Sequence, residues 1–310
     1  MGNVIVLGSI IMDVTAVAAR FPKPGETLIG SSVGLFPGGK GANQAVCAAR
    51  LGAKTQLIGC VGQDRLGNDL VQFLERNVSI GHVRRVADAP TGVGAIVVAG
   101  SENSIVLVPG ASNRITIDDL TGLAIEKGDV LLAQLETPID VTETFFGRGR
   151  EAGAATILNA APARSVPKTL WQLADVVVVN ETELEEISGR ALSLDEPMDT
   201  VFEAAKSLIA RPGQAVCVTL GERGFAAVIG GERLRVPARS VVAVDPTGAG
   251  DCFVGAMAMQ MGAGSALADA LRYANIAASL SVQRAGAGPS MPTRAEVDRV
   301  ISTEGAFDRK

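Results

Sequence analysis

One histidine, one tryptophan and one tyrosine in 310 residues leave several common chemistries without their usual side chains. The lone His82 has no acid or serine near it in sequence, so a Ser-His-Asp relay or a histidine-built zinc site has nothing to rest on. It follows a turn signal and reads as a surface or loop residue. The four cysteines, Cys47, Cys60, Cys217 and Cys252, lack metal-ligand spacing and sit in apolar stretches. Reduced core thiols in a cytoplasmic protein are the expectation. Runs of Lys and Arg are also missing, Arg84-Arg85 being the densest pair, and the net charge is −5. That balance argues against nucleic acid and against an anionic membrane as partners. No apolar stretch reaches membrane-spanning length, and no basic segment precedes the first apolar run.

What is present is a chain 47% apolar and rich in glycine. Its length suits one large α/β domain with a small appendage, or two modest domains. Val4-Ile5-Val6-Leu7 is apolar throughout, as in a parallel strand buried on both faces. The stretch that follows, to about Phe36, has no helical period and reads as loops or short strands such as Thr27-Leu28-Ile29. A second helix-free insert spans Thr91 to Val108, where a polar Ser101-Glu102-Asn103-Ser104 turn separates two apolar runs and predicts a hairpin. Elsewhere strands alternate with helices, and each strand ends in polar or glycine residues, where open α/β sheets bind ligands. The expected organisation is an α/β core over residues 1–10, 37–90 and 109–310. A β lid would be assembled from residues 11–36 and 91–108.

The stretch with the most specific chemistry is Asp245-Pro246-Thr247-Gly248-Ala249-Gly250-Asp251. It reads as a turn of small residues opening a helix, whose unsatisfied N–H groups and dipole favour an anion. Asp251 is the only acid at that mouth, and a carboxylate beside a phosphate cradle makes sense as a proton acceptor. A phosphoryl transferase is the reading. Gly38-Gly39-Lys40-Gly41 opens another helix; read from Gly34 it nearly matches a P-loop, but Gly41 stands where Mg²⁺ needs a hydroxyl. Asn180 and Glu183 have the spacing of a capping box, yet their place at a strand end keeps a role toward Mg²⁺ open. Thr219, Gly221 and Gly224 form either a hairpin turn or a backbone surface for a nucleotide. Asp13 and Glu136 are single carboxylates at strand ends, equally readable as surface acids or hydroxyl binders.

Together these segments, with Ala161-Pro162-Ala163-Arg164 and Gln134-Leu135-Glu136, resemble the ribokinase-like (PfkB) carbohydrate kinase family along nearly the whole chain, and within it the ribokinases. The resemblance implies a three-layer α/β/α sandwich with a mostly parallel sheet and a small β-sheet lid, the lid often serving as a dimer contact. It implies an ATP-dependent kinase for a primary hydroxyl of a pentose, D-ribose first, working with Mg²⁺ and a K⁺ activator. Position by position, Asp251 resembles the catalytic base, and the N–H groups of Gly248, Ala249 and Gly250 the anion hole. Asp13, Gly39, Lys40, Asn43 and Glu136 fall on the sugar site. Asn180, Thr219, Gly221, Gly224, Gly250 and Asn275 fall on the nucleotide site, with Glu183 reaching Mg²⁺ through water. Asp245, Thr247, Ser281, Arg284, Gly286 and Ser290 fall around the monovalent cation.

One position departs. Ribokinases usually read Gly-Ser-Ile-Asn-x-Asp at the end of the first strand, and here Ile11 stands in place of that Asn. Loss of an amide that pairs with a buried sugar hydroxyl costs roughly 1–3 kcal/mol. A deoxy sugar, another pentose or hexose, or a nucleoside is thereby admitted. A non-catalytic sugar or nucleotide sensor on the same fold is the rival from another class; a pure binder has no use for Asp251.

Overall fold

Successive side chains of a strand face opposite ways, and the first strand is buried on both. Val4 and Val6 enter one apolar cluster, Ile5 and Leu7 another. A computed structural model describes residues 2–100, 102–193 and 196–304. In chain order its strands are β1 (Val4–Leu7), β2 (Ile11–Ala18), β3 (Ser32–Gly38), β4 (Thr55–Gly62), β5 (Ser79–Val86), β6 (Gly92–Ala99), β7 (Glu102–Val108), β8 (Val130–Ala133), β9 (Ala155–Asn159), β10 (Val176–Asn180), β11 (Ala215–Thr219), β12 (Phe225–Ile229) and β13 (Glu232–Val236). The helices are α1 (Lys40–Arg50), α2 (Arg65–Leu74), α3 (Ile139–Ala152), α4 (Lys168–Leu173), α5 (Glu181–Ser188), α6 (Met198–Ser207), α7 (Ala249–Gly262), α8 (Leu267–Ser281) and α9 (Arg294–Glu304).

The main sheet runs β13-β12-β11-β10-β9-β8-β1-β4-β5, antiparallel only at β11–β12 and β12–β13. On one face the core holds apolar residues of α1, α2, α7, α8 and α9; on the other, those of α3, α4, α5 and α6. This is the sandwich expected from the sequence. The second sheet is β3-β2-β6-β7, with β2 parallel to β6 and the outer pairs antiparallel.

Helices α1 and α7 lie side by side in the first layer, and a glycine sets how close they come. A Cβ at Gly255 would sit 2.5 Å from the Gln44 carbonyl oxygen and 2.8 Å from Cys47 Cβ. The four cysteines are buried and free, with Cys47 and Cys252 Sγ atoms 3.7 Å apart across this contact. Burial, then the neighbouring thiol, holds the Cys47 thiol well above its ordinary range.

Thr27-Leu28-Ile29 lies in a loop, one of the two forms expected there, and Ile29 is exposed. Two local expectations differ. His82 lies half-buried in β5 rather than in a loop or fully at the surface. Strand β7 begins at Glu102, so residues 102–104 belong to the strand and not to the turn; Ser101 lies outside the described residues. Both β5 and β7 are sheet edges, where polar side chains are tolerated and apolar alternation weakens.

Candidate active site

Helix α7 is capped by Gly248, whose φ of +78° favours glycine; a Cβ there would also stand 2.9 Å from Ala287 Cβ. The amide of Ala249 donates to the Pro246 carbonyl (3.1 Å) and that of Cys252 to the Gly248 carbonyl (2.8 Å). Among the described residues the amides of Gly248, Gly250 and Asp251 have no such backbone partner, while that of Ala249, one of the expected trio, closes the turn. A Cβ at Gly250 would meet nothing within 4 Å, so the approach to these amides is open.

The Asp251 side chain is buried, and each of its oxygens receives one amide from α1. Asn43 Nδ2 donates to Oδ2 and Gln44 Nε2 to Oδ1, both at 2.9 Å. The close α1–α7 contact is what brings these donors within reach.

A cavity of about 440 Å³ opens beside this carboxylate, and Asp13, Gly39, Lys40, Asn43, Glu136 and Asp251 all line it. The structure therefore brings together every residue expected on the sugar side. Asp13 lies between two strands that both offer glycine beside it. A Cβ at Gly38 would fall 2.1 Å from Asp13 Oδ2, and one at Gly94 would fall 2.4 Å from Oδ1. The buried Asn43 Oδ1 has no partner, since its amide nitrogen is turned to Asp251. Glu136 Oε2 accepts from Ser9 Oγ and from the Lys40 amide (3.2 Å). Ile11, Ile96, Ile105 and Leu107 also line the cavity.

Charge in this cavity is strongly mutual. Burial, with the charges of Asp251 and Glu136, raises the Asp13 carboxyl to about 7, against the pull of Lys40. Burial likewise raises Glu136 and Glu183. For Lys40 burial alone would lower the ammonium, but Asp251, Glu136, Glu183 and Asp13 outweigh it and hold it above its ordinary range.

A second cavity, about 180 Å³, adjoins the first and shares Lys40, Pro246, Gly248 and Asp251 with it. Asn180, Glu183, Thr219, Ala249 and Gly250 line its other sides. Asn180 and Glu183 form the full capping box of α5: Asn180 N–H donates to Glu183 Oε2 (2.8 Å), and Glu183 N–H to Asn180 Oδ1 (2.7 Å). Cap and cavity wall are the same residues. Gly221, Gly224 and Asn275 stand elsewhere. A Cβ at Gly224 would strike the Val236 carbonyl oxygen at 2.1 Å, and Asn275 Nδ2 donates to the Pro237 carbonyl (2.8 Å). Both fix the backbone that follows β13, which is a structural reason for them beside the nucleotide one.

The loops before α7 and after α8 meet at Asp245. Its carboxylate accepts from Thr247 N–H (2.9 Å) and Gly286 N–H (2.8 Å), while the Val282 carbonyl accepts from Val244 N–H (2.7 Å) and Asp245 N–H (3.0 Å). Ser281 and Ser290 hydroxyls donate to the carbonyls of Ala278 and Ala287. The Arg284 side chain instead pairs with Glu296. Among the described residues no three His, Cys, Asp or Glu side chains gather as direct metal ligands.

Sequence reasoning gave no role to Ser9, Gln44, Gln134 or Asn159. The signal for Gln44 was present: an amide beside Asn43 near the start of an alanine-rich helix. For Asn159 it was the polar end of an apolar strand.

Comparison with known proteins bears on this arrangement. The model of the pfkB family carbohydrate kinases matches residues 1–294. The chain belongs to that family. It is 38% identical over 305 residues to the ribokinase of Bacillus subtilis (strain 168), covering 97% of this chain and all of the other. It is 32% identical over 305 residues to the deoxyribokinase of Salmonella typhi, covering 97% of this chain and 99% of the other. The structure of Arabidopsis thaliana ribokinase complexed with ribose and ATP is 31% identical and covers 97% of this chain and 99% of its own, with a TM-score of 0.83. As a pfkB kinase, the protein transfers a phosphoryl group from ATP to a sugar.

Proposed function

We propose that this kinase phosphorylates the primary hydroxyl of D-ribose, yielding D-ribose 5-phosphate and ADP, with Asp251 as the base. One observation carries the reading: among the described residues Asp251 is the only carboxylate common to both cavities, so it can face the sugar on one side and the phosphate on the other. Asp13, Lys40, Asn43, Glu136 and the backbone at Gly39 hold the sugar. The free Oδ1 of Asn43 is an acceptor suited to a hydroxyl. Asp251 takes the proton from the hydroxyl as its oxygen attacks the γ-phosphate. The amides of Gly248, Gly250 and Asp251, with Lys40, stabilise charge on the transferring group. The nucleotide lies along Asn180, Thr219, Gly221, Gly224 and Asn275.

Glu183 suits Mg²⁺ held through water, because one oxygen is tied to Asn180 and the other has no protein donor among the described residues. The ion, when bound with the nucleotide, offsets phosphate charge. The Asp245 loops, with one carboxylate among carbonyls and hydroxyls, suit a monovalent cation such as K⁺. The second sheet acts as a lid, and its outer apolar face joins two copies into a dimer. Four buried free thiols fit a cytoplasmic setting.

ADP release measured over pentoses, hexoses, 2-deoxyribose and nucleosides, in K⁺ and in Na⁺, tests this reading. Ribose is expected to be turned over, faster in K⁺, and Asp251→Asn to lower kcat by about 10²–10⁴. Full turnover in Asp251→Asn would sink the mechanism, and none with any substrate favours a sensor. A second reading has its own observation: Ile11 in the sugar wall, with a deoxyribokinase among the relatives, makes 2-deoxyribose the alternative substrate.

A further inference from the structure

Gln44 lines neither cavity and is fully buried, yet every hydrogen-bonding group of its side chain is engaged. Its two N–H groups go to Asp251 Oδ1 and Asn159 Oδ1, both at 2.9 Å, and its Oε1 accepts from Gln134 Nε2 at 2.6 Å. The orientation of this amide is not free to reverse, because an ionised carboxylate only accepts. Gln134 follows β8, Asn159 ends β9 and Gln44 is near the start of α1, so three separate elements converge to aim one N–H.

We propose that Gln44 is a positioning residue for the proton-accepting carboxylate, fixing its rotation. The proposal rests on the reading of Asp251 as base. With one donor on each oxygen the carboxylate cannot turn about its Cβ–Cγ bond without breaking a bond. Asn43 supplies the other donor but also lines the sugar cavity, so it holds substrate and base together. Gln44 acts on the base alone. The charges around Asp251 act both ways, the carboxylates of Asp13, Glu136 and Glu183 against it and the Lys40 ammonium toward it, and the two amides hold its orientation among them.

Gln44→Met keeps the length of the side chain and removes the donor. The expected result is a kcat lower by about 10–100-fold, with the KM for ribose and for ATP changed less than about threefold. A residue that only packs would lower the melting temperature and leave the kcat of the folded enzyme unchanged. Gln134→Met removes the donor that fixes Gln44 itself, and is expected to lower kcat by less, again with KM nearly unchanged. Should Gln44→Met not fold, Gln134→Met decides. Wild-type kcat, or a fall in kcat with an equal or larger change in KM, overturns the proposal. Asp251→Asn is measured beside them. If it retains turnover, the base reading itself fails; if it is inactive while Gln44→Met behaves as wild type, only the role of Gln44 fails.

Discussion

Asp13 carries the clearest pH signature of any single residue. Its carboxyl is raised to about 7 in the folded chain, first by burial and then by Asp251 and Glu136, whereas an unfolded aspartate titrates near 4, roughly. Between those values the folded state binds a proton that the unfolded state does not, so this group's contribution to stability falls as pH rises from about 4 to about 7. Asp13→Asn removes that slope. Its melting temperature, compared with wild type by calorimetry, is expected to gain progressively across this window and hold a constant advantage above it. An advantage independent of pH would mean that Asp13 is not raised. Two residues away and on the same strand face, Ile11 sets a different expectation. Ile11→Asn offers a donor and acceptor where the wall is apolar, so ribose is expected to gain about tenfold in kcat/KM over 2-deoxyribose. An unchanged ratio between the two sugars would remove Ile11 from the specificity argument.

At the scale of elements, the contact between α1 and α7 matters most, since it brings Asn43 and Gln44 to Asp251. Gly255→Ala tests it. On an isolated helix Ala is favoured over Gly by about 1 kcal/mol. Here the added methyl would stand 2.5 Å from a backbone carbonyl oxygen that has no flexible end to give way. The clash is expected to win, lowering stability by about 1–3 kcal/mol in denaturant unfolding, with kcat falling as the amides draw back from Asp251. Greater stability with unchanged kcat would refute it. The starts of α1 and α7 were legible in the sequence because glycine turns and helix dipoles are local signals. The amide network was not, since Asn43 and Gln44 reach Asp251 across more than two hundred residues and Gln44 reaches Asn159 across 115. Strand β5 was missed for a local reason, its apolar pattern being interrupted by Gly81 and by Arg84-Arg85 at a sheet edge.

For the whole molecule, the two faces of the second sheet do different work, and the register separates them. Phe36, Asp13, Gly94 and Leu107 share one row, and three of these line the sugar cavity. The next row, Leu35, Val14, Ala95 and Val106, points the other way because side chains alternate along a strand. On that side Leu35 is 57% exposed and Val106 64%, with Val33 at 74% and Val108 at 53% close by. An apolar sheet face of this kind is rarely left in water, and a second copy offers the same apolar chemistry in return. The sequence announced the inserts as helix-free but could not say which side of them was outward, because that depends on how β2 and β6 pair across some eighty residues. Leu35→Glu combined with Val106→Glu places charge in the middle of the patch without touching the cavity row. Sedimentation is expected to show a dimer for the wild-type chain and a monomer for the double variant. KM for the sugar is expected to rise in the monomer, since the sheet that carries Asp13 would lose its support. A wild-type chain that sediments as a monomer at all accessible concentrations would leave this face without the partner assigned to it.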